Sequence, residues 1–187
     1  MAKLIVFEFL SLDGFMAGPP GSEMDFVVSD FGDDMERDLA EQYGELDAFV
    51  MGGTTFRSLA GYWPTPAAAG EPLQPVMNSL QKLVFSRIPD ETQWNNSRVL
   101  GPNALSELRE IKHGPGRSLM VIGSATVVQA LARERMIDEF RFFVFPTFIG
   151  AGKPLFTPGS TPGSLKLLRT KSFTTGVARA DYQVVRP

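Results

Sequence analysis

The residues of this chain best suited to chemistry stand where apolar runs break into glycine and hydroxyls. In Leu119-Met120-Val121-Ile122-Gly123-Ser124-Ala125-Thr126-Val127, a run suited to a strand buried on both faces gives way at Gly123 to a helix starting near Ser124 or Ala125. The first N–H groups of such a helix lack intrahelical partners and lie at the positive end of its dipole. That makes a seat for a phosphate, and Gly123 would let the phosphate approach closely. The same order returns where residues 48–51 run into Gly52-Gly53-Thr54-Thr55-Phe56, and Ser86-Arg87 leaves a further strand, where an arginine suits another phosphate. Each feature alone has a plainer alternative: a tight capped turn for the glycines, a solvated charge for Arg87. Asp13 leaves the first strand in Ser11-Leu12-Asp13-Gly14. Its carboxyl would donate a proton if burial raised its pKa, or orient a substrate amine; equally, Asp-Gly is an ordinary turn whose side chain bonds its own backbone.

Strands alternating with helices must position these groups. Apolar runs predict strands over residues 3–10, 48–51, 82–85, 98–100, 119–122 and 139–145. Residues 165–173 and 177–184 are expected to form a closing hairpin around Thr174-Thr175-Gly176. Asp33 is placed to cap a helix with Met35, Leu39 and Tyr43 on one face and Gly44 at its end. Pro72 stands in the first turn of a short helix carrying Leu73, Val76, Met77 and Leu80. Asn103 caps one with Leu105, Leu108 and Ile111 inward. Residues 14–29 read as a long irregular segment, and residues 146–153 as a glycine-containing loop. The pattern predicts one α/β domain over residues 1–187, with a mainly parallel sheet, right-handed crossovers, helices on both faces and an antiparallel end. In such sheets ligands bind beyond the carboxyl ends of the strands, where Asp13, Gly52, Thr55, Ser86, Arg87, Gly123 and Thr126 all fall. Ser86, Gly123 and Thr54 are therefore expected on one rim, gripping a dinucleotide of the NADP type whose 2′-phosphate Arg87 would select.

Composition excludes several classes. Hydrophobic residues make up 43% and charged residues 21%, ordinary globular usage, and the net charge of −3 implies no basic face for nucleic acid. The short apolar N-terminal run carries Glu8 and reads as a strand, so no membrane segment and a cytoplasmic home are expected. With no cysteine and one histidine, His113, in a turn-like Lys-His-Gly-Pro-Gly, thiol chemistry is excluded and no metal site is expected.

Several stretches, in order and over nearly the whole chain, resemble the dihydrofolate-reductase-like family. The branch is the one related to the reductase domain of riboflavin-biosynthesis deaminase-reductases. They are Ser11-Leu12-Asp13-Gly14, Met51-Gly52-Gly53-Thr54-Thr55-Phe56, Phe85-Ser86-Arg87, Val121-Ile122-Gly123-Ser124 and Pro146-Thr147-Phe148-Ile149-Gly150-Ala151-Gly152-Lys153-Pro154-Leu155-Phe156. The resemblance implies a three-layer fold and NADPH lying along the sheet edge. Thr54 and Thr55 would lie near the phosphates, with Gly52, Gly53 and Phe56 beside them. Ser86 and Arg87 would lie near the 2′-phosphate, and Gly123, Ser124, Ala125, Thr126 and Val127 around the pyrophosphate. It further implies that the loops after Asp13 and Pro146 enclose a substrate, with Leu12, Phe15, Trp63, Gly150 and Gly152 against it and Asp13 as the catalytic polar group. The implied activity is hydride transfer from NADPH to a small planar heterocycle, either pterin- or folate-like or a riboflavin-pathway pyrimidine of the 5-amino-6-(5-phosphoribosylamino)uracil type. Two departures favour an alternative, a non-catalytic nucleotide-, flavin- or pterin-binding module. Gly53 replaces a frequent Arg or Lys, and residues 14–36 hold no cation for a substrate phosphate. Large side chains on both faces of residues 140–145, together with the resemblance, predict a symmetric homodimer.

Overall fold

The computed structural model describes residues 1–86, 93–157 and 163–186. Eight strands form one sheet in the order β5-β4-β3-β6-β1-β7-β10-β9. They are β1 (Lys3–Ser11), β3 (Ala48–Gly52), β4 (Gln81–Phe85), β5 (Ser97–Leu100), β6 (Ser118–Ile122), β7 (Glu139–Phe145), β9 (Ser164–Ser172) and β10 (Ala178–Val185). From β5 to β7 every pairing is parallel; β10 then runs antiparallel to β7 and β9 antiparallel to β10. The buried runs of β3 and β6 account for the centre of the sheet, since strands covered on both faces gain nothing from alternation.

Helices cover both faces. Ile5 and Phe7 of β1 point to one side, where Met35 and Leu39 of α2 (Asp33–Gly44) and Phe56 of α3 (Gly53–Ala60) complete an apolar layer. Leu4 and Val6 point to the other, against Leu108 of α5 (Ala104–His113) and Val128 and Leu131 of α6 (Ala125–Arg133). This is a three-layer α/β architecture of the dihydrofolate-reductase type.

Four expectations change. Residues 14–29 are not wholly irregular: β2 (Phe15–Ala17) pairs antiparallel with β8 (Lys153–Pro154), and α1 (Asp25–Val28) follows. A three-residue strand between glycines leaves too little alternation to read. Asp33 is the first helical residue of α2, after Gly32, and Asp34 carries the side-chain contacts there, accepting from Met35 N–H and Thr174 N–H. In α4 (Gln74–Ser79) the first-turn proline is Pro75, not Pro72. Asn103 holds the position before α5 but makes no side-chain cap.

Candidate functional site

Turns far apart in sequence are joined at the carboxyl ends of β3 and β6. The Gly52 N–H donates to the Ser124 hydroxyl at 2.9 Å, and the Thr55 and Ser124 hydroxyls share a hydrogen bond of 3.0 Å. The approach is close enough that a side chain at Gly52 or Gly123 would force its neighbour to move, while Gly53 is merely tight. A Cβ on Gly52 would collide with Ser124 Oγ, one on Gly123 would sit 2.9 Å from Thr55 Oγ1, and one on Gly53 would sit 3.3 Å from Ser86 Oγ. Thr54 Oγ1 accepts from Arg57 Nη2 at 3.5 Å on the same first turn of α3. Ser86, Gly123 and Thr54 therefore share one rim, as the strand pattern predicts. Arg87 lies outside the described residues.

Gly123 and Ser124 take consecutive left-handed conformations, with φ of +63° and +65°. A serine adopts that region only when its surroundings hold it there, which the two bonds to its hydroxyl do. Those bonds also occupy the side chain that would otherwise cap the helix. Neither α3 nor α6 has a side-chain cap, and the positive ends of two dipoles meet; in α6 the Val127 N–H is taken by the Ser124 carbonyl at 2.8 Å, so the N–H groups before it are the ones open to an outside partner. Such a pair of helix starts suits a pyrophosphate. Of the residues assigned to this seat, Phe56 and Ala125 bring only backbone: their side chains are 2% exposed, Phe56 facing Trp94 and Ala125 in the layer against α5 and α6.

Behind the rim a groove of about 690 Å³ opens between α5 and α6, with Phe85 and Ser86 at its sheet end and Thr126, Val127 and Ala130 along one wall. The opposite wall, from Gly101 through Ser106 to Arg109, is missing from the sequence reading. Gly101-Pro102-Asn103 repeats the strand, glycine, helix order and could have been found by it. Arg109 and its partner Glu134 carried no local signal. A second hollow, of about 550 Å³ and lined by Asp47, Gln81, Asn96 and Arg117 among others, lies at the amino ends of the strands and shares no residue with the rim.

Asp13 has a different task from a buried acid. Its carboxylate accepts from the Ser11 hydroxyl at 2.6 Å and from the Ile149 and Gly150 N–H groups at 3.3 and 2.8 Å. The Ser11 hydroxyl, joined by these backbone donors, outweighs the upward push of desolvation and holds its pKa below the usual carboxylate range, so Asp13 stays an acceptor. It clasps the β1–β2 turn to the loop before β8. That clasp explains two glycines assigned to substrate. Gly150 donates from a left-handed turn at φ +70°, and a Cβ on Gly152 would strike the Ala17 carbonyl of β2. Phe15 pairs with Pro154 in the same small sheet, and Leu12 is exposed beside it. Phe31 stands edge-on to Phe9, and Phe148, next to Ile149, is exposed, so the clasp is flanked by apolar rings. Trp63 stands edge-on to Tyr62, with its carbonyl accepting from Asn78, and packs against the same apolar layer as Phe9 and Ile149. His113 ends α5 and is exposed. Among the described residues no group of His, Asp and Glu could hold a metal ion, and no helix is long and apolar enough to cross a membrane.

The fold is that of the dihydrofolate-reductase-like class. Within it, residues 2–179 match the RibD C-terminal domain model, and the chain belongs to that family. The Bacillus subtilis (strain 168) protein YyaP is 30% identical over 183 residues, 96% of this chain and 94% of its own. A Shewanella sp. PV-4 protein described under riboflavin biosynthesis superposes with a TM-score of 0.80 at 21% identity, covering all of both chains. Enterococcus faecalis dihydrofolate reductase, complexed with NADP(H), superposes with a TM-score of 0.63 at 12% identity over 97% of this chain and 96% of its own.

Proposed function

We propose that the protein is an NADPH-dependent reductase of a small planar heterocycle, of the riboflavin-pathway pyrimidine or pterin type. The observation that carries this reading is the junction of two uncapped helix starts through Gly52, Thr55 and Ser124, with a nucleoside-sized groove behind it. The N–H groups of Gly53, Thr54 and Thr55 and of Ala125 and Thr126 would hold the pyrophosphate. Ser86 and Arg87 would take the 2′-phosphate, and the groove the adenosine. Bound there, the reduced nicotinamide supplies a hydride. The chain's own contribution is to orient and to exclude water: Asp13 fixes the loop across the rim, and Leu12, Phe31 and Phe148 offer apolar surface to a flat ring. Since Asp13 is held ionised, it orients an amine or amide of the substrate and leaves protonation to solvent.

Calorimetric titration tests the reading: NADPH should bind more tightly than NADH, with Arg87→Ala removing most of the difference, about 1–3 kcal/mol. Equal affinities would sink the assignment of Arg87. Asp13→Asn should leave NADPH binding near normal and slow its oxidation by a pyrimidine or dihydropterin acceptor; an unchanged rate removes Asp13 from the mechanism. The reading includes a symmetric dimer, supported by the exposed β9, where Leu165 and Leu167 lie beside Val184 and Tyr182 of β10. Light scattering should give twice the chain mass, and one chain mass for Leu167→Glu.

A further inference from the structure

The far end of the groove holds a feature that phosphate binding does not use. Arg109 of α5 reaches across to Glu134, the residue that closes α6, with Nη2 2.7 Å from Oε2. A carboxylate is the less favourable charge at the negative end of a helix, and the Arg109 cation beside Glu134 offsets it. The pair is single-stranded in its bonding: among the described residues Glu134 Oε1 and the remaining Arg109 N–H groups have no protein partner. Both side chains are close to half exposed, at 44% and 46%. An acceptor and a donor thus stand side by side in the cavity wall. Eight residues separate Thr126, at the phosphate end, from Glu134, about 12 Å along the helix axis, the reach of a nucleoside lying between α5 and α6.

We infer that the Arg109–Glu134 pair reads the edge of the adenine ring, Glu134 Oε1 accepting from the 6-amino group and an Arg109 N–H donating to N1. The inference rests on the dinucleotide reading above and adds a base-specificity element to it. A 2′-phosphate is the poorer candidate at this end, because Glu134 would repel it.

The test is calorimetric binding of NADPH, NADH and the reduced 1,N6-etheno analogue of NADPH, in which a bridge blocks both N1 and the 6-amino group. Wild-type protein should bind NADPH at least tenfold more tightly than the etheno analogue. Arg109→Ala/Glu134→Ala should weaken NADPH and NADH by a similar factor and abolish discrimination against the analogue. Both positions are surface-exposed, and an unchanged melting temperature confirms that the variant is folded. Equal wild-type affinity for NADPH and its etheno analogue, or discrimination retained in the double variant, overturns the inference and leaves the dinucleotide reading standing. A loss confined to NADPH with NADH unaffected overturns it in favour of a phosphate contact. No wild-type binding of either natural dinucleotide overturns both readings.

Discussion

The two faces of the sheet each bury a carboxyl group, and they treat it in opposite ways. On the α2 face, Asp38 accepts from Arg179 and Lys171, each at 2.7 Å, and from Gln42, while Arg179 also makes two 2.7 Å bonds to Asp181. Burial alone would raise Asp38, but the hydrogen bonds and charges of Lys171 and Arg179 outweigh it and hold the carboxyl below its usual range. On the other face, Glu8 of β1 is buried with one oxygen that has no hydrogen-bond partner among the described residues. Burial pushes it well above the usual range, only partly opposed by the charge of Lys153. The difference shows what a buried charge does in each place. The first ties α2 to the antiparallel end of the sheet, and the second is a carboxyl whose ionisation burial disfavours, with only the Lys153 charge to oppose it.

The comparison breaks most sharply at Arg179, which is 2% exposed. Arg179→Ala leaves Asp38 and Asp181 buried beside a lost cation and should cost about 3–5 kcal/mol, read from urea denaturation. A loss within error would mean that the network contributes nothing to stability. Next comes Glu8→Met, which removes an unpartnered polar group of similar size and should stabilise the fold by about 1–3 kcal/mol at pH 7. Because the folded pKa of Glu8 is raised, its penalty is absent below the unfolded value of about 4.3 and grows as pH rises towards the folded value. The part of the Glu8→Met gain that comes from ionisation should therefore disappear near pH 3.5, leaving only the part due to the unpartnered buried oxygen. Asp38 has the opposite sign: its depressed pKa gives stability that is present above about pH 4 and lost in acid, and Glu8→Met should leave that acid limb unchanged. The smallest effect belongs to Lys171→Ala. Its side chain is 42% exposed, and removing it should cost about 1 kcal/mol or less, declining in high salt. A cost equal to that of Arg179→Ala would erase the distinction between buried and exposed partners of one carboxylate.

Much of the architecture could be read from local pattern. Met35, Leu39 and Tyr43 recur at the spacing of one helix face, and all three are buried. The alternation of residues 177–184 gave each end of the last strand to within one residue of β10 (Ala178–Val185). Glycine followed by hydroxyls gave the rim, because a close approach and an uncapped helix start need those residue types whatever surrounds them. Side-chain roles were less legible. Phe56 and Asp13 have the composition of site residues, yet packing turns one into the core and backbone donors 136 and 137 residues away make the other a clasp.

Residue order alone determined the parallel strand-helix repeat, the antiparallel close and the glycines at the strand ends, since these follow from periodicity and backbone freedom. Only the tertiary structure decided which turns touch. The union of Gly52 with Ser124, the meeting of Arg109 with Glu134 and the contrast between Glu8 and Asp38 all join residues that strand order brings together across long stretches of chain. The reason is physical: hydrogen-bond partners and desolvation belong to the packed surroundings of a group, and a sequence window contains neither.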